Sequence, residues 1–364
     1  MPSLRIAILA PFKTWGGIEG KILTLCRAFL KSDISVELLL AREGQTPYPN
    51  RMPDEVEIID LASRGKLDTA LKLAQRLKHH PPDVLLTAKD HAAKAAIIAR
   101  ALTRVSIPIY IKITNTPSEI LRRPGKRMMA KWIYPWATGA IAISEGVRQD
   151  FLAHFKMAPE LVTTIYNPAI TPDFPERAAR AIDHSWLNKK GPPVIMGMGR
   201  LTPQKDFPTL LKAFARLRKR LNARLIILGE GPARLELEAL TDELSISADV
   251  DLPGFVSDPL PWLARANLFA LSSRYEGLGN VLIEAMAVGL PVVSTDCPSG
   301  PREILENGRL GHLVHVGDVE ALAEAMERSL NDSPPFEETA KSLQRFQSGP
   351  VAQQYLEFMG LLRE

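Results

Sequence analysis

Residues 268–294 read LFALSSRYEGLGNVLIEAMAVGLPVVS, and this stretch decides the fold. Leu268–Leu271 is a short apolar run, the signature of a buried strand. A loop with glycines at 277 and 279 follows. Asn280 is a good N-cap residue, and Asn280–Gly289 carries the apolar periodicity of a helix. Pro291–Ser294 is a second short apolar run. Strand, loop, helix, strand is the unit of a parallel sheet covered on both faces, whose strands are continuously apolar.

The same alternation extends both ways. In the first half, strands are expected at Leu4–Ala10, Ser35–Leu40, Asp83–Thr87, Ile107–Ile113 and Gly139–Ser144. Helices are expected between them at Gly20–Lys31, Leu67–His79, His91–Leu102 and Gly125–Trp136. The rhythm stops at Tyr166–Arg180, where Pro168, Pro172 and Pro175 crowd a segment without periodicity, the mark of a linker. It resumes with strands at Pro193–Gly197, Ala223–Leu228, Val250–Leu252, Leu268–Leu271 and Pro291–Ser294. Helices are expected at Phe207–Arg220, Ala233–Leu244, Leu260–Ala266 and Asn280–Gly289. A last helix, Ser348–Leu362, follows the point where the second domain should have closed. The expected architecture is α/β: two Rossmann-like, doubly wound domains facing across a cleft. They would span 1–172, joined by 348–364, and 173–347.

Composition sets the outer limits. The chain has 364 residues, 46% hydrophobic and 24% charged, the values of a globular protein of two or three domains. Cys26 and Cys297 are its two cysteines, which excludes a disulfide scaffold. The longest uncharged run, Trp132–Ser144, has 13 residues against the roughly 20 that a membrane-spanning helix needs. Leu4–Ala10 runs into Pro11 and reads as a first strand rather than a secretion signal. The net charge of +4 hides an asymmetry. Residues 1–175 carry 24 Lys and Arg against 16 Asp and Glu, or +8, and the remainder carries 21 against 25, or −4. A basic first half points to an anionic partner.

The chemistry clusters after strands. Free N–H groups around Gly279–Leu282 at a helix start, with the helix dipole behind them, suit a phosphate. Glu276 before that helix and Glu284 within it are hydrogen-bond acceptors for sugar hydroxyls. Gly197-Met198-Gly199-Arg200-Leu201-Thr202-Pro203-Gln204-Lys205 offers a guanidinium fork and a lysine point charge five residues apart. Leu228-Gly229-Glu230-Gly231-Pro232 ends another strand. Trp15-Gly16-Gly17-Ile18-Glu19 follows the first strand, with paired glycines that would admit close approach to the backbone. Singly, each of these is also what an ordinary strand-to-helix turn carries.

Together, and in this order, these motifs resemble the family 4 retaining glycosyltransferases of the GT-B fold, over nearly the whole chain. The most specific element is Glu276-x7-Glu284 within the run ending at Pro291-Val292-Val293. Gly199-Arg200-Leu201-x3-Lys205, Leu228-Gly229-Glu230-Gly231-Pro232 and Leu252-x-Gly254-Phe255 accompany it. Ala142-Ile143-Ser144-x2-Val147 and Ile165-Tyr166-Asn167-Pro168 are also similar to the family's pattern. The resemblance implies that Arg200 and Lys205 hold the donor diphosphate and stabilise its departing charge. Glu276 would meet the transferred sugar and Glu284 the donor ribose. Gly277, Leu278, Gly279, Asn280 and Val281 would line the phosphate, with Gly231 beside them and Gly16 and Gly17 facing it. It implies front-face attack with the leaving phosphate assisting deprotonation, so no enzymic nucleophile is assigned. Relatives often carry a histidine after the fourth strand of the first domain. Here that region reads Lys112-Ile113-Thr114-Asn115-Thr116, which makes Asn115, Thr114 or the earlier His91 a candidate contact for sugar or acceptor. Asp296-Cys297-Pro298-Ser299-Gly300-Pro301-Arg302 is similar to bacterial members that use UDP-hexoses or UDP-N-acetylhexosamines to build surface polysaccharides, lipopolysaccharide or lipid-linked oligosaccharides. The implied reaction is transfer of such a sugar to a saccharide or lipid-linked acceptor, at the cytoplasmic face of the cell membrane, with the acceptor bound by domain 1–172 and the nucleotide sugar by domain 173–347.

Segment 121–136 holds five basic residues and no acidic one, interleaved with Met, Trp and Tyr. That is the composition of an interfacial segment on an anionic membrane; a helix with Met and Trp turned to the core is the alternative. No recognition helix or stacking sheet for nucleic acid is legible. Asp249-Val250-Asp251 resembles a metal motif of another glycosyltransferase fold but precedes Leu252-x-Gly254-Phe255, so it is read as coincidence. His79-His80 and His312-x2-His315 lack cysteine partners at ligand spacing. No metal or cofactor is expected. A nicotinamide-dependent dehydrogenase needs Gly-x-Gly-x-x-Gly, but Thr202 and Arg234 stand in the third glycine's place. A GT-B epimerase or phosphorylase, or a non-catalytic sugar-nucleotide binding protein, are the remaining alternatives.

Overall fold

The computed structural model describes residues 4–10, 17–41, 52–121, 124–188, 191–332 and 336–362. The chain divides into two compact units. One comprises Met1–Pro168 with Phe346–Glu364, and the other Ala169–Arg345.

The first unit is built on seven strands: β1 Arg5–Ala10, β2 Ser35–Leu40, β3 Glu57–Asp60, β4 Val84–Ala88, β5 Ile109–Ile113, β6 Gly139–Ala142 and β7 Val162–Thr164. They lie in the order β3-β2-β1-β4-β5-β6-β7. Every pairing is parallel; Ile6, for example, sits opposite Val36 on one side and Val84 on the other. β4, β5 and β6 are buried along their whole length, as a sheet with helices on both faces requires. Strand order reverses between β1 and β4. In such sheets ligands bind outside the carboxyl ends of the strands at that switch point.

The second unit repeats the plan with β8 Val194–Met198, β9 Arg224–Leu228, β10 Val250–Gly254, β11 Leu268–Leu271, β12 Val292–Thr295 and β13 His312–Val314. The order is β10-β9-β8-β11-β12-β13, and the switch point falls between β8 and β11. Both sheets are the Rossmann-like, parallel α/β architecture that the sequence pattern predicts. The expected aperiodic linker contains one short helix, Phe174–Ala179, with Pro175 in its first turn, where the missing N–H costs nothing.

The helix Ser348–Phe358 belongs to the first unit and packs there on the helix Gly17–Leu30. Tyr355 meets Phe29 edge-on at 6.1 Å, and Phe358 meets Tyr110 at 5.5 Å. This contact buries a cation. Lys112 of β5 is 4% exposed, and its ammonium donates to the Tyr355 hydroxyl. Burial holds the Lys112 pKa down to about 7. A lysine whose folded pKa lies below its unfolded value binds its proton less readily when folded. Stability therefore rises with pH from about 7 toward the ordinary lysine value of 10.5 and is lowest below 7. Lys112→Met combined with Tyr355→Phe, which leaves no orphaned hydroxyl, is expected to raise the urea midpoint at pH 6.5 and flatten its rise between about pH 7 and 9. An unchanged slope would show that Lys112 does not titrate in that range.

Candidate active site

Four loops leave the carboxyl ends of β8, β9, β11 and β12, and they are tied to one another. The Gly199 N–H donates to Leu228 O at 3.0 Å and the Leu201 N–H to Glu230 O at 2.9 Å, joining the β8 and β9 loops. Gly231 completes that joint: a Cβ there would stand 2.4 Å from Leu201 O. The Arg274 N–H donates to Gln204 O at 2.8 Å, and Gln204 Nε2 to Tyr275 O at 2.9 Å, joining the β8 and β11 loops. The Glu276 N–H donates to Pro298 O at 3.0 Å, and Thr295 Oγ1 to Ser273 O at 2.6 Å, joining the β11 and β12 loops.

Glu276 lies at the centre of this interlock, its side chain 9% exposed. Its Oε1 accepts from Lys205 Nζ at 2.5 Å and from Ser273 Oγ at 2.6 Å. Lys205 and Glu276, expected to act on different parts of one ligand, are thus already in contact across the switch point. A buried carboxylate needs such partners, since an unpaired one would be neutralised or expelled. Arg274 pairs in the same way with the buried Asp206 at 3.2 Å. Arg200 is exposed in the turn between the two pinned residues Gly199 and Leu201.

The helix after the β11 loop is Asn280–Ala287. Its cap is Gly279, in a left-handed conformation with φ 90°, so Asn280 is the first helical residue and not the N-cap the sequence suggests. The Leu282 N–H already donates to Gly279 O at 2.9 Å, which narrows the exposed amide groups to the first positions of the helix. Leu278 and Val281 are buried, as is Gly277 beside Glu276. Glu284 is half-buried in the second turn of the helix. Its charge reaches Arg177. Burial lowers the Arg177 pKa, but a fork of hydrogen bonds to Asp258, with the charges of Asp258, Asp173 and Glu284, raises it overall.

Cys297, in the β12 loop, is buried. Burial first, and then the Glu276 carboxylate, push its thiol up to about 12, so it remains a thiol and not a nucleophile. The Asp-x-Asp carboxylates are engaged elsewhere: Asp249 with Arg218 at 2.6 Å and Asp251 with His184 at 2.9 Å. In the first unit, Gly17 opens the helix Gly17–Leu30, and a Cβ there would meet nothing within 4 Å. Packing within the unit therefore does not require glycine at 17. Gly16 lies outside the described residues. His91 is the second residue of the helix Asp90–Thr103. Asn115 Oδ1 accepts from the Thr116 N–H at 2.9 Å, which ties its carboxamide into the local turn.

Sequence reasoning assigned no role to Ser273, Gln204, Pro298 or Gly300. Ser273 and Gln204 adjoin quoted motifs, but which way they point depends on loop joints that no spacing encodes. Gly300 has φ 97°, and a Cβ there would fall 1.9 Å from Leu278 O. Glycine at 300 is what lets the β12 loop lie against the β11 loop.

Residues 179–346 match the model of glycosyl transferases group 1, and residues 15–172 match that of glycosyltransferase family 4. The N-acetylgalactosamine-N,N'-diacetylbacillosaminyl-diphospho-undecaprenol 4-alpha-N-acetylgalactosaminyltransferase of Campylobacter jejuni is 30% identical over 254 residues, covering 70% of this chain and 66% of that protein. The lipopolysaccharide core biosynthesis glycosyltransferase LpsE of Rhizobium meliloti is 39% identical over 154 residues, 42% of this chain and 44% of that protein. Among solved structures, HepE of Anabaena in complex with UDP and glucose aligns with a TM-score of 0.82 at 22% identity, covering 99% of this chain and all of that one. The lipopolysaccharide outer core galactosyltransferase WaaB in its apo form aligns at 0.77 and 21%, covering 98% and 99%. The fold is GT-B. The two family matches together take in nearly all of the chain, which belongs to the family 4 glycosyltransferases.

The interlock makes a direct prediction. Left-handed strain on a non-glycine residue costs about 1–3 kcal/mol, and Gly300→Ala adds a collision with Leu278 to that strain. Gly317 shares the strain, with φ 80°, but a Cβ there meets nothing within 4 Å. Gly300→Ala is expected to lower the urea midpoint well beyond Gly317→Ala. Equal losses would mean that the β11 and β12 loops move apart without cost.

Proposed function

We propose that this glycosyltransferase is a retaining enzyme that moves a hexose or N-acetylhexosamine from UDP to a lipid-linked saccharide or polysaccharide acceptor at a membrane surface. The observation that carries the reading is the Lys205–Glu276–Ser273 cluster at the switch point of the second sheet, with Arg200 exposed at the neighbouring loop. Arg200 and Lys205 would hold the diphosphate and neutralise its charge as the glycosidic bond breaks, the preorganised electrostatic stabilisation that dominates much of enzyme catalysis. Glu276, turned to the sugar hydroxyls, would orient the transferred ring, and Glu284 would accept from the ribose. The leaving phosphate would take the acceptor proton from the same face. With two cations at the diphosphate, the reading calls for neither a metal nor another cofactor. Support for the donor comes from HepE, described in complex with UDP-glucose. Support for the acceptor comes from the Campylobacter relatives, named for diphospho-undecaprenol-linked saccharides.

The helix Pro124–Ile133 supports the membrane part of the reading. Met128 is 62% exposed, Met129 53%, Trp132 76% and Trp136 69%, so the alternative of a core-facing apolar stripe fails. Lys126 and Lys131 share that exposed surface; Arg122 and Arg123 lie outside the described residues. Among the described residues no helix is long and apolar enough to cross a membrane. Aromatic residues beside cations are what a peripheral contact at headgroup depth calls for, and this supports the reading of an enzyme acting at the inner face of the membrane.

Lys205→Ala or Glu276→Ala is expected to lower kcat by on the order of 10²–10³ with the fold retained, in an assay of labelled UDP-sugars against lipid extracts. An α-linked product from an α-linked donor, read by the anomeric proton coupling, is expected; inversion, or sugar turnover without any acceptor, would overturn the reading. For the surface, Trp132→Ser with Trp136→Ser is expected to weaken flotation with phosphatidylglycerol vesicles at least tenfold, and flotation of the native protein should fall as salt rises. A native protein that stays off such vesicles would remove the membrane from the proposal.

A further inference from the structure

Lys205 and Glu276 are joined by more than their own contact. Three consecutive residues of the β8 loop each reach the β11 loop. Gln204 O accepts from the Arg274 N–H at 2.8 Å, and Lys205 O accepts from Ser272 Oγ at 2.8 Å. Asp206 pairs with the Arg274 guanidinium: Nη2 donates to Oδ1 at 3.3 Å, and Nε lies 3.2 Å from Oδ2. This ion pair joins the residue after Lys205 to the residue two before Glu276.

The ordinary reasons for an aspartate at position 206 do not apply. Asp206 directly precedes the helix Phe207–Arg218, where an aspartate commonly caps, yet its side chain makes no capping hydrogen bond. Its backbone is left-handed, with φ 48° and ψ 45°, a conformation that glycine takes more easily. Its carboxylate is 5% exposed, whereas the arginine side chain is 60% exposed. A charge taken out of water without a partner is costly; Asp206 is tolerable here because Arg274 reaches back from the surface to meet it. The pair therefore caps no helix and buries no arginine. What it does is tie together the two loops that carry Lys205 and Glu276.

The Lys205 side chain depends on such a tie. Its stem lies over Gly199, where a Cβ would stand 2.7 Å from Lys205 Cε, and Gly199 is itself pinned to Leu228. With the stem guided on that side, the place of the ammonium is set by where the Lys205 backbone sits against the β11 loop. A displacement of about 1 Å at a reacting group can cost on the order of a hundredfold in rate.

We propose that Asp206 and Arg274 are positioning residues for sugar transfer: their ion pair sets where the Lys205 ammonium stands relative to Glu276, and hence to the departing diphosphate. This rests on the roles given to Lys205 and Glu276 above, and it adds a pair that acts through Lys205.

Arg274→Met alone would strand a buried carboxylate. The informative variant is Asp206→Gly with Arg274→Met, which suits the left-handed backbone and leaves no unpaired charge. In the UDP-sugar assay its kcat is expected to fall on the order of tenfold to a hundredfold, with the KM for the UDP-sugar moving less and the circular dichroism spectrum unchanged. Arg274→Lys, which keeps a cation beside Asp206, should retain most of the native kcat. A merely structural pair would lower activity whatever stands at 205, so the deciding measurement repeats the double change in a Lys205→Ala background. There it should lower the residual kcat by less than about twofold, because nothing is left to position. Equal losses in the two backgrounds would overturn the proposal, as would native kcat in the double variant. Should that variant fail to fold, Asp206→Asn, which keeps the left-handed backbone and a neutral acceptor for Arg274, is judged by the same two criteria. Native turnover in Lys205→Ala itself would instead sink the donor-site reading on which the pair's role is built.

Discussion

A carboxylate removed from water must be surrounded by donors, and in the second unit that requirement organises everything around Glu276. Its oxygen is satisfied by Lys205 and Ser273, and its own N–H by Pro298. Those three partners come from three different loops. Each loop must therefore leave its strand in a fixed direction, and the joints that hold it there, Gly231 against Leu201 and Gly300 against Leu278, admit no side chain. The alignment of β8 with β11 at the strand reversal supplies the platform. The charged pair then fixes where a cation and an acceptor stand before any ligand arrives, which is what preorganisation requires.

Much of this was legible in the sequence because parallel sheets write themselves in continuous apolar runs. The interior strands β1, β4, β8, β9 and β11 are such runs, and each was placed within a residue or two. The strands that went unseen, β3, β7 and β13, are all edges of their sheets. Glu57–Asp60 is nearly all exposed, and Val162–Thr164 and His312–Val314 have three residues each. An edge strand buries one side at most and is kept short or charged to discourage pairing with another chain, so its pattern fades into that of a loop. The helix Glu145–His154 was missed for a related reason. Its buried residues are only Val147 and Phe151, too thin a stripe for periodicity to show.

The site divides along a similar line. Residue types and spacing single out Glu276, Lys205 and Arg200 as candidates, because a motif records which chemistry is present. They did not foresee that Lys205 and Glu276 touch, nor that Gly279 rather than Asn280 caps the helix. Both depend on how a loop closes in space. Gly279 takes a left-handed conformation that a residue with a Cβ would occupy at greater cost, and this sets the helix start.

The charge asymmetry also acquires a location. In the first unit many basic residues are neutralised at home: Arg5 and Arg76 both pair with the buried Glu37 at 3.1 Å, Lys94 with Asp90, Lys89 with Glu19 and Arg148 with Glu145. The helix Pro124–Ile133 contains no acidic residue to do the same for Lys126, Arg127 and Lys131. Part of the excess positive charge of the first half is therefore concentrated on one surface, and that surface also exposes two methionines and two tryptophans nearby. Charge spread evenly over a domain mainly sets its solubility. Charge gathered beside exposed aromatic rings is the arrangement on which the proposed membrane contact rests. Asp90 then becomes more than a helix residue, since its contacts with Tyr134 and Lys94 tie that face to the turn at the carboxyl end of β4. In this unit the surface that would meet the membrane and the switch point of the sheet are parts of one packed structure.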